Sequence, residues 1–117
     1  MIGIDIIKTD RIENMIQKYG KKALNRFLTE KEQAILSSFD SIAGYWAAKE
    51  AFSKAIGSGI GKECSFLDIE ILKNEKNKPY FSEDTLKKFN LKAADISISH
   101  DGGFAIAAVI VLKENMI

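Results

Sequence analysis

The chain has 117 residues, 46% of them hydrophobic and 28% charged, and its 17 basic and 16 acidic side chains leave a formal net charge of +1. That size suits one domain over residues 1–117, and the balance of charge excludes a globally basic nucleic-acid coat or an acidic tail. With Cys64 and His100 alone of their kinds, no apolar run near the ~20 residues of a membrane span and no basic signal-peptide start, a disulfide-free cytoplasmic protein is expected, without a multi-histidine or multi-cysteine metal site.

Ile2 to Ile7 reads as a strand from its isoleucine density, and Thr9 or Asp10 as the cap of a helix that turns Ile12, Met15 and Ile16 inward. Thr29-Glu30-Lys31-Glu32 is a capping box opening a short helix with Ala34, Ile35 and Leu36. The longest helix is expected from Asp40 or Ser41 to Ile56, with its apolar residues mostly on one face, ended by Gly57-Ser58-Gly59-Ile60-Gly61. Phe66 to Leu72 alternates like a half-buried strand, Asn74 to Lys78 makes a turn, and Lys78 to Phe81 reads as a short edge strand. Ser82-Glu83-Asp84 caps a helix through Phe89. A hairpin follows, with Ile96 to His100, a turn at Asp101-Gly102-Gly103, and Phe104 to Leu112 as a buried return strand. The expected fold is α+β, a mainly antiparallel sheet packed on one long helix and several short ones.

Three stretches carry more chemistry than a fold requires. An aspartate between isoleucines in Gly3-Ile4-Asp5 needs a charge partner, a cation or backbone donors if it is buried. Glu50 and Lys54 lie four residues apart on one helix face, which is either an ordinary surface pair or part of a site crowded by Ala47, Ala48, Ala51, Ser53 and Ala55. The glycines of 57–61 leave backbone open to close approach, and His100 closes the Ser97-Ile98-Ser99 run beside a turn. Two carboxylates, a lysine and open backbone fit a hard cation and phosphate chemistry, and the residues alone carry the reading no further.

The same stretches, in this order, resemble the 4′-phosphopantetheinyl transferases of the short holo-acyl-carrier-protein synthase type. The resemblance rests on Gly3-Ile4-Asp5, Arg11-Ile12 and the run Trp46-Ala47-Ala48-Lys49-Glu50-Ala51-Phe52-Ser53-Lys54-Ala55-Ile56-Gly57. It extends through Gly57–Gly61, Leu28-Thr29, Asp68-Ile69-Glu70, Lys78-Pro79-Tyr80 and Ser97-Ile98-Ser99-His100. It implies Mg²⁺-dependent transfer of 4′-phosphopantetheine from coenzyme A to a serine of an apo acyl carrier protein, in support of fatty acid biosynthesis. By position, Asp5 and Glu50 are implied as metal ligands and, with Lys54, as the catalytic group. Lys54, Gly57, Ser58, Gly59, Ile60, Gly61, Pro79 and His100 are implied to contact coenzyme A. The resemblance also implies a homotrimer with sites between subunits. Two positions depart from the pattern: Tyr45 stands where an arginine is usual, and Asn77 where the turn usually has glycine.

Residues 8–26 hold six basic side chains against Asp10 and Glu13, a local balance of +4. Arg11, Lys18, Lys21, Lys22 and Arg26 therefore offer a docking face for an acidic carrier protein, while no nucleic-acid-binding motif accompanies them. A non-catalytic module binding coenzyme A or an acidic protein would share that face but has no need of Asp5, Glu50 and Lys54 together. Trp46, Tyr45 and the Phe104–Leu112 strand are expected to leave an apolar surface for self-association.

Overall fold

Alternation along the isoleucine-rich start sets the architecture. In the computed structural model, which describes residues 1–115, this segment forms β1 (Ile2–Lys8). It is followed by α1 (Thr9–Tyr19), α2 (Lys21–Phe27), α3 (Glu30–Ile35), α4 (Phe39–Ile56) and a 3₁₀ turn (Phe66–Asp68). The rest comprises β2 (Ile71–Lys73), β3 (Pro79–Phe81), α5 (Glu83–Lys88), β4 (Leu91–Asp101) and β5 (Phe104–Lys113). Three strands form an antiparallel sheet in the order β1-β5-β4, and β2 pairs antiparallel with β3. The expected α+β class is the one observed.

One face of β1 turns Gly3, Asp5 and Ile7 toward α4, as the two-residue period of a strand requires. Gly3 is needed there: a Cβ on it would meet the Ala51 carbonyl oxygen at 1.9 Å and the Ala55 nitrogen at 2.7 Å. At the other side of the sheet a Cβ on Gly44 would come within 2.8 Å of Ile98 of β4. Helix and sheet therefore meet backbone to backbone at β1, and α4 crosses the sheet with small residues at both edges. The opposite face of β1 and β5 is bare: Ile2, Ile4, Ile6, Ile106 and Ile110 are all exposed, Ile2 by 70%.

A buried ion pair fastens the helices to the second sheet. Lys49 and Glu32, both fully buried, meet at 2.7 Å, and Lys49 Nζ also donates to the Phe27 and Phe66 carbonyls. Glu32 accepts from its capping partner Thr29 N through Oε1 and from Ile71 N through Oε2. Burial lowers the Lys49 pKa below the usual lysine range, and Glu32 opposes that shift. Every oxygen and proton of the pair has a partner, which is the condition for tolerating charges away from water.

Several expectations are corrected. Phe66 to Leu72 is not one strand: a 3₁₀ turn occupies Phe66–Asp68, with Ser65 N donating to Asp68 Oδ2, and the strand begins at Ile71. Lys8, not Thr9 or Asp10, sits at the cap of α1, and Thr9 instead donates its hydroxyl to Asp40. α4 starts one to two residues early because Ser38 caps it, accepting from Ser41 N. Nor is α4 one-faced; residues all around it are buried, Lys49 and Ser53 included. α5 ends at Lys88, with Phe89 as its C-terminal cap. Tyr45 is 2% exposed and Trp46 packs between Phe27 and Phe66, so neither lends apolar surface. In β5 only alternate residues are buried, Ala105, Ala107, Val109 and Val111. The turn into β5 is Gly102-Gly103, with φ of 58° and 85°, the geometry of a type I′ hairpin.

Candidate functional site

Of the two readings of Glu50 and Lys54, the ordinary surface pair is absent among the described residues. Lys54 Nζ reaches back instead to β1, donating to Asp5 Oδ1 at 2.8 Å and to the Ile4 carbonyl at 3.1 Å. Asp5 thus has a cation as partner rather than backbone donors. Glu50, half-buried one helical turn before Lys54, lies in the field of Asp5, Lys54 and Arg11. Burial pushes its carboxyl above the usual range, Asp5 adds to the rise, and Lys54 and Arg11 oppose it. Two carboxylates from different elements, each shielded from full hydration, therefore share one small region with two cations.

The donor set suits a hard divalent ion. Among the described residues no group of three or more metal-ligating side chains exists, so any ion here has two carboxylates and must complete its shell otherwise. Mg²⁺ commonly does so, with one or two carboxylates plus substrate phosphates and water. Lys54, whose side chain is half exposed at 51%, is on a long stem and free to leave Asp5 for an anion.

Beyond Lys54, α4 ends where Gly57 takes the left-handed conformation at φ 100°. The Gly57 and Gly59 N–H groups both bond the Ser53 carbonyl, and Gly61 N–H bonds that of Cys64. Ser58 and Ile60 N–H are the donors of this loop with no backbone partner among the described residues. A Cβ added at Gly57, Gly59 or Gly61 would meet nothing within 4 Å, so the loop is open on its outer side.

Pro79 and His100 stand apart from this group. They line a pocket of about 290 Å³ with Ser41 and Tyr45 of α4, Lys73, Asn77 and Lys78 of the β2–β3 hairpin, and Ile96, Ser97 and Ile98 of β4. None of Asp5, Glu50 or Lys54 touches it. Within one chain there are thus two separate centres, a carboxylate–lysine centre at one end of α4 and a basic pocket toward the other.

Residues 1–109 match the 4′-phosphopantetheinyl transferase superfamily. The chain belongs to that superfamily. It is 66% identical to the holo-[acyl-carrier-protein] synthase of Nautilia profundicola over 113 residues, covering 97% of this chain and all of that one. The Helicobacter pylori holo-[acyl-carrier-protein] synthase, solved in complex with coenzyme A, superposes with a TM-score of 0.89 at 48% identity, over 95% of this chain and 99% of the other. The Bacillus anthracis synthase, in complex with CoA (3′,5′-ADP), gives 0.81 at 42% identity, over 96% and 95%.

The two departures from the transferase pattern have structural readings. Asn77 adopts φ 65° and so fills the left-handed turn position that glycine usually takes. Tyr45 is buried, its hydroxyl has no hydrogen-bond partner among the described residues, and burial together with the Glu32 charge pushes its pKa up to about 12. The basic residues Arg11, Lys18, Lys21, Lys22 and Arg26 are all exposed on α1 and α2, where Met15, Tyr19 and Ala23 form a shallow apolar hollow with Lys22 and Arg26. Arg11 stands out among them because its charge also acts on Glu50. The small residues Ala47, Ala48 and Ala51 signalled close packing but not the burial of Lys49, whose ammonium is enclosed by Glu32 and the Phe27 and Phe66 carbonyls.

Proposed function

We infer that Asp5, Glu50 and Lys54 form the centre at which 4′-phosphopantetheine leaves coenzyme A. Transfer of that group to a serine of an apo acyl carrier protein, releasing adenosine 3′,5′-bisphosphate, is the activity of the family's synthases, and it serves fatty acid biosynthesis. The observation that carries the site assignment is the convergence of Asp5 from β1 with Glu50 and Lys54 from α4, at a junction where Gly3 leaves no room for a side chain. Asp5 and Glu50 would hold Mg²⁺, which supplies charge neutralisation on the pyrophosphate. Lys54 turns from Asp5 to a phosphate oxygen, Ser58 and Ile60 N–H, which have no backbone partner among the described residues, donate to the same phosphates, and Pro79 and His100 contact the nucleotide. The attacking hydroxyl comes from the carrier protein, so the chain needs no nucleophile of its own; its contribution is positioning and electrostatic.

The bare isoleucine face of β1 and β5 supports association into a homotrimer whose sites are shared, one copy supplying the carboxylates and its neighbour the basic pocket. The acidic carrier docks on Arg11, Lys18, Lys21, Lys22 and Arg26. No helix of the described residues is long and apolar enough to cross a membrane, and the proposed compartment is the cytoplasm.

Mass spectrometry of an apo carrier protein incubated with the chain, coenzyme A and Mg²⁺ tests this reading. The carrier gains the phosphopantetheine mass with the wild type and with neither Asp5→Ala nor Glu50→Ala, and a chelator abolishes the gain. Near-normal transfer by both variants at saturating Mg²⁺ overturns the metal assignment.

A further inference from the structure

Asp5 already has a cation, and a metal ion must compete with it. Its Oδ1 accepts from Lys54 Nζ at 2.8 Å, and the same ammonium donates to the Ile4 carbonyl at 3.1 Å, so two acceptors on β1 seat it. The Asp5 side chain is only 16% exposed, which makes an unpaired carboxylate there costly. Lys54 is half exposed, and its long stem lets the ammonium swing outward without moving α4. Glu50 forms no ion pair among the described residues, although it lies in the field of Asp5, Lys54 and Arg11. One ammonium therefore serves two carboxylates, and the three groups together keep a single net negative charge.

We propose that Lys54 is a built-in competitor of the metal, a cation whose departure from Asp5 makes binding of the divalent ion and binding of the donor's pyrophosphate depend on each other. This rests on the transfer reading above, in which Asp5 and Glu50 hold Mg²⁺. Lys54 must give up Asp5 Oδ1 before an ion can take it. A divalent ion alone then turns the net charge of the centre positive, while Lys54 stays tethered one helical turn from Glu50 and Arg11 acts on the same carboxylate. Like charges crowded into a half-buried centre repel, and that arrangement is weak. Pyrophosphate removes the conflict, because its oxygens accept the displaced ammonium and add the missing negative charge. Pyrophosphate alone is equally handicapped: it faces two carboxylates, and drawing Lys54 away leaves the poorly hydrated Asp5 without a partner. Each ligand by itself breaks the Lys54–Asp5 pair without replacing both halves of it, and the two together replace both. Such coupling is reciprocal, so the ion strengthens donor binding by the same factor as the donor strengthens ion binding.

Titration calorimetry of the full-length protein without carrier, and so without turnover, tests the proposal. Mg²⁺ and coenzyme A are each titrated in the absence and presence of the other, into the wild type, Lys54→Met and Lys54→Gln. The second variant keeps an amide that can donate to Asp5 while removing the charge. In the wild type, saturating coenzyme A should raise the Mg²⁺ affinity by about tenfold or more, and Mg²⁺ should raise the coenzyme A affinity by the same factor. Both variants should bind Mg²⁺ alone about tenfold more tightly than the wild type, with the enhancement by coenzyme A reduced accordingly. Mg²⁺ alone should also raise the melting temperature of Lys54→Gln more than that of the wild type. Variants that bind Mg²⁺ alone no more tightly than the wild type, or an enhancement by coenzyme A that survives intact without the lysine, overturn the proposal. So does a wild type whose Mg²⁺ affinity is the same with and without coenzyme A. A wild type that binds coenzyme A but no Mg²⁺ under either condition defeats the metal assignment of the transfer reading instead.

Discussion

Replacing Gly3 with alanine places a methyl group 1.9 Å from the Ala51 carbonyl oxygen and 2.7 Å from the Ala55 nitrogen. Both targets are helix backbone, so no rotamer change relieves the contact. β1 must withdraw by roughly 1 Å or more before ordinary van der Waals distance is regained. Overpacking of this kind costs about 1–3 kcal/mol where side chains can yield, and a clash with backbone belongs at the top of that range. Against a typical total stability of about 5–15 kcal/mol the loss is easily measured. Urea unfolding should show a lower midpoint at unchanged m value, since the surface exposed on unfolding stays the same. The second consequence is chemical. Asp5, two residues along the same face, moves with the strand, and its 2.8 Å contact with Lys54 stretches beyond hydrogen-bonding range. Misplacement by about 1 Å can cost on the order of 100-fold in rate, so Gly3→Ala should lose transfer well below its unfolding midpoint. A Gly3→Ala protein with wild-type stability and wild-type transfer would refute the close approach of β1 and α4 on which the site reading depends.

Breaking the buried pair should be costly: Glu32→Ala leaves the Lys49 ammonium without its partner and should lose about 3–5 kcal/mol in denaturant unfolding. The double variant Glu32→Leu with Lys49→Met should regain most of that stability yet transfer about tenfold more slowly, because α4 loses its rotational anchor. The Asp68 carboxyl is held below its usual range chiefly by a hydrogen bond from Lys88, so its contribution is complete above pH ~4 and fades as pH falls through the lowered value. Asp68→Asn should flatten the acid limb of a stability–pH curve by less than about 1 kcal/mol, since Lys88 is half exposed. Charge reversal at Arg26 should raise the KM for the carrier protein severalfold with little change for coenzyme A, and added salt should mimic it in the wild type. Reversal at Arg11 should affect both substrates, since its charge reaches Glu50.

What could be read in the sequence was what depends on neighbours in the chain. The capping box at Thr29, the left-handed stop at Gly57 and the Gly102-Gly103 hairpin need only local backbone preferences, and all three are present. The misread segment is instructive because its alternation is real. Residues 66–72 do alternate, but Glu70 N–H donates to the Thr85 hydroxyl and Ile71 N–H to Glu32, partners 15 and 39 residues away. Those bonds, invisible locally, decide where the strand begins. The site shows the same division. Its residue types and spacing stood out, but the local rule paired Lys54 with Glu50, whereas the fold pairs it with Asp5, 49 residues away.

The placement of α4 explains why one helix carries so many charged and aromatic residues in an otherwise alanine-rich run. Tyr45 and Lys54 are nine positions apart, about 13–14 Å along the axis at ~1.5 Å per residue. That is enough to keep the basic pocket and the carboxylate centre of one chain from merging. Lys49 and Glu50 are adjacent in sequence and so point in directions about 100° apart on a helix of 3.6 residues per turn. The first is locked to Glu32, Phe27 and Phe66, which fixes the rotation of α4 about its own axis and with it the direction of the second. An apolar pair of equal volume would fill the same space, but packing alone tolerates small rotations that three hydrogen bonds donated by a single ammonium do not. Gly3 and Gly44 then set how closely the helix lies on the sheet at its two edges. Depth is thus set by two missing side chains and rotation by one buried charge. Together they bring Glu50 and Lys54 to Asp5 without any contact among the three having to hold the fold in place.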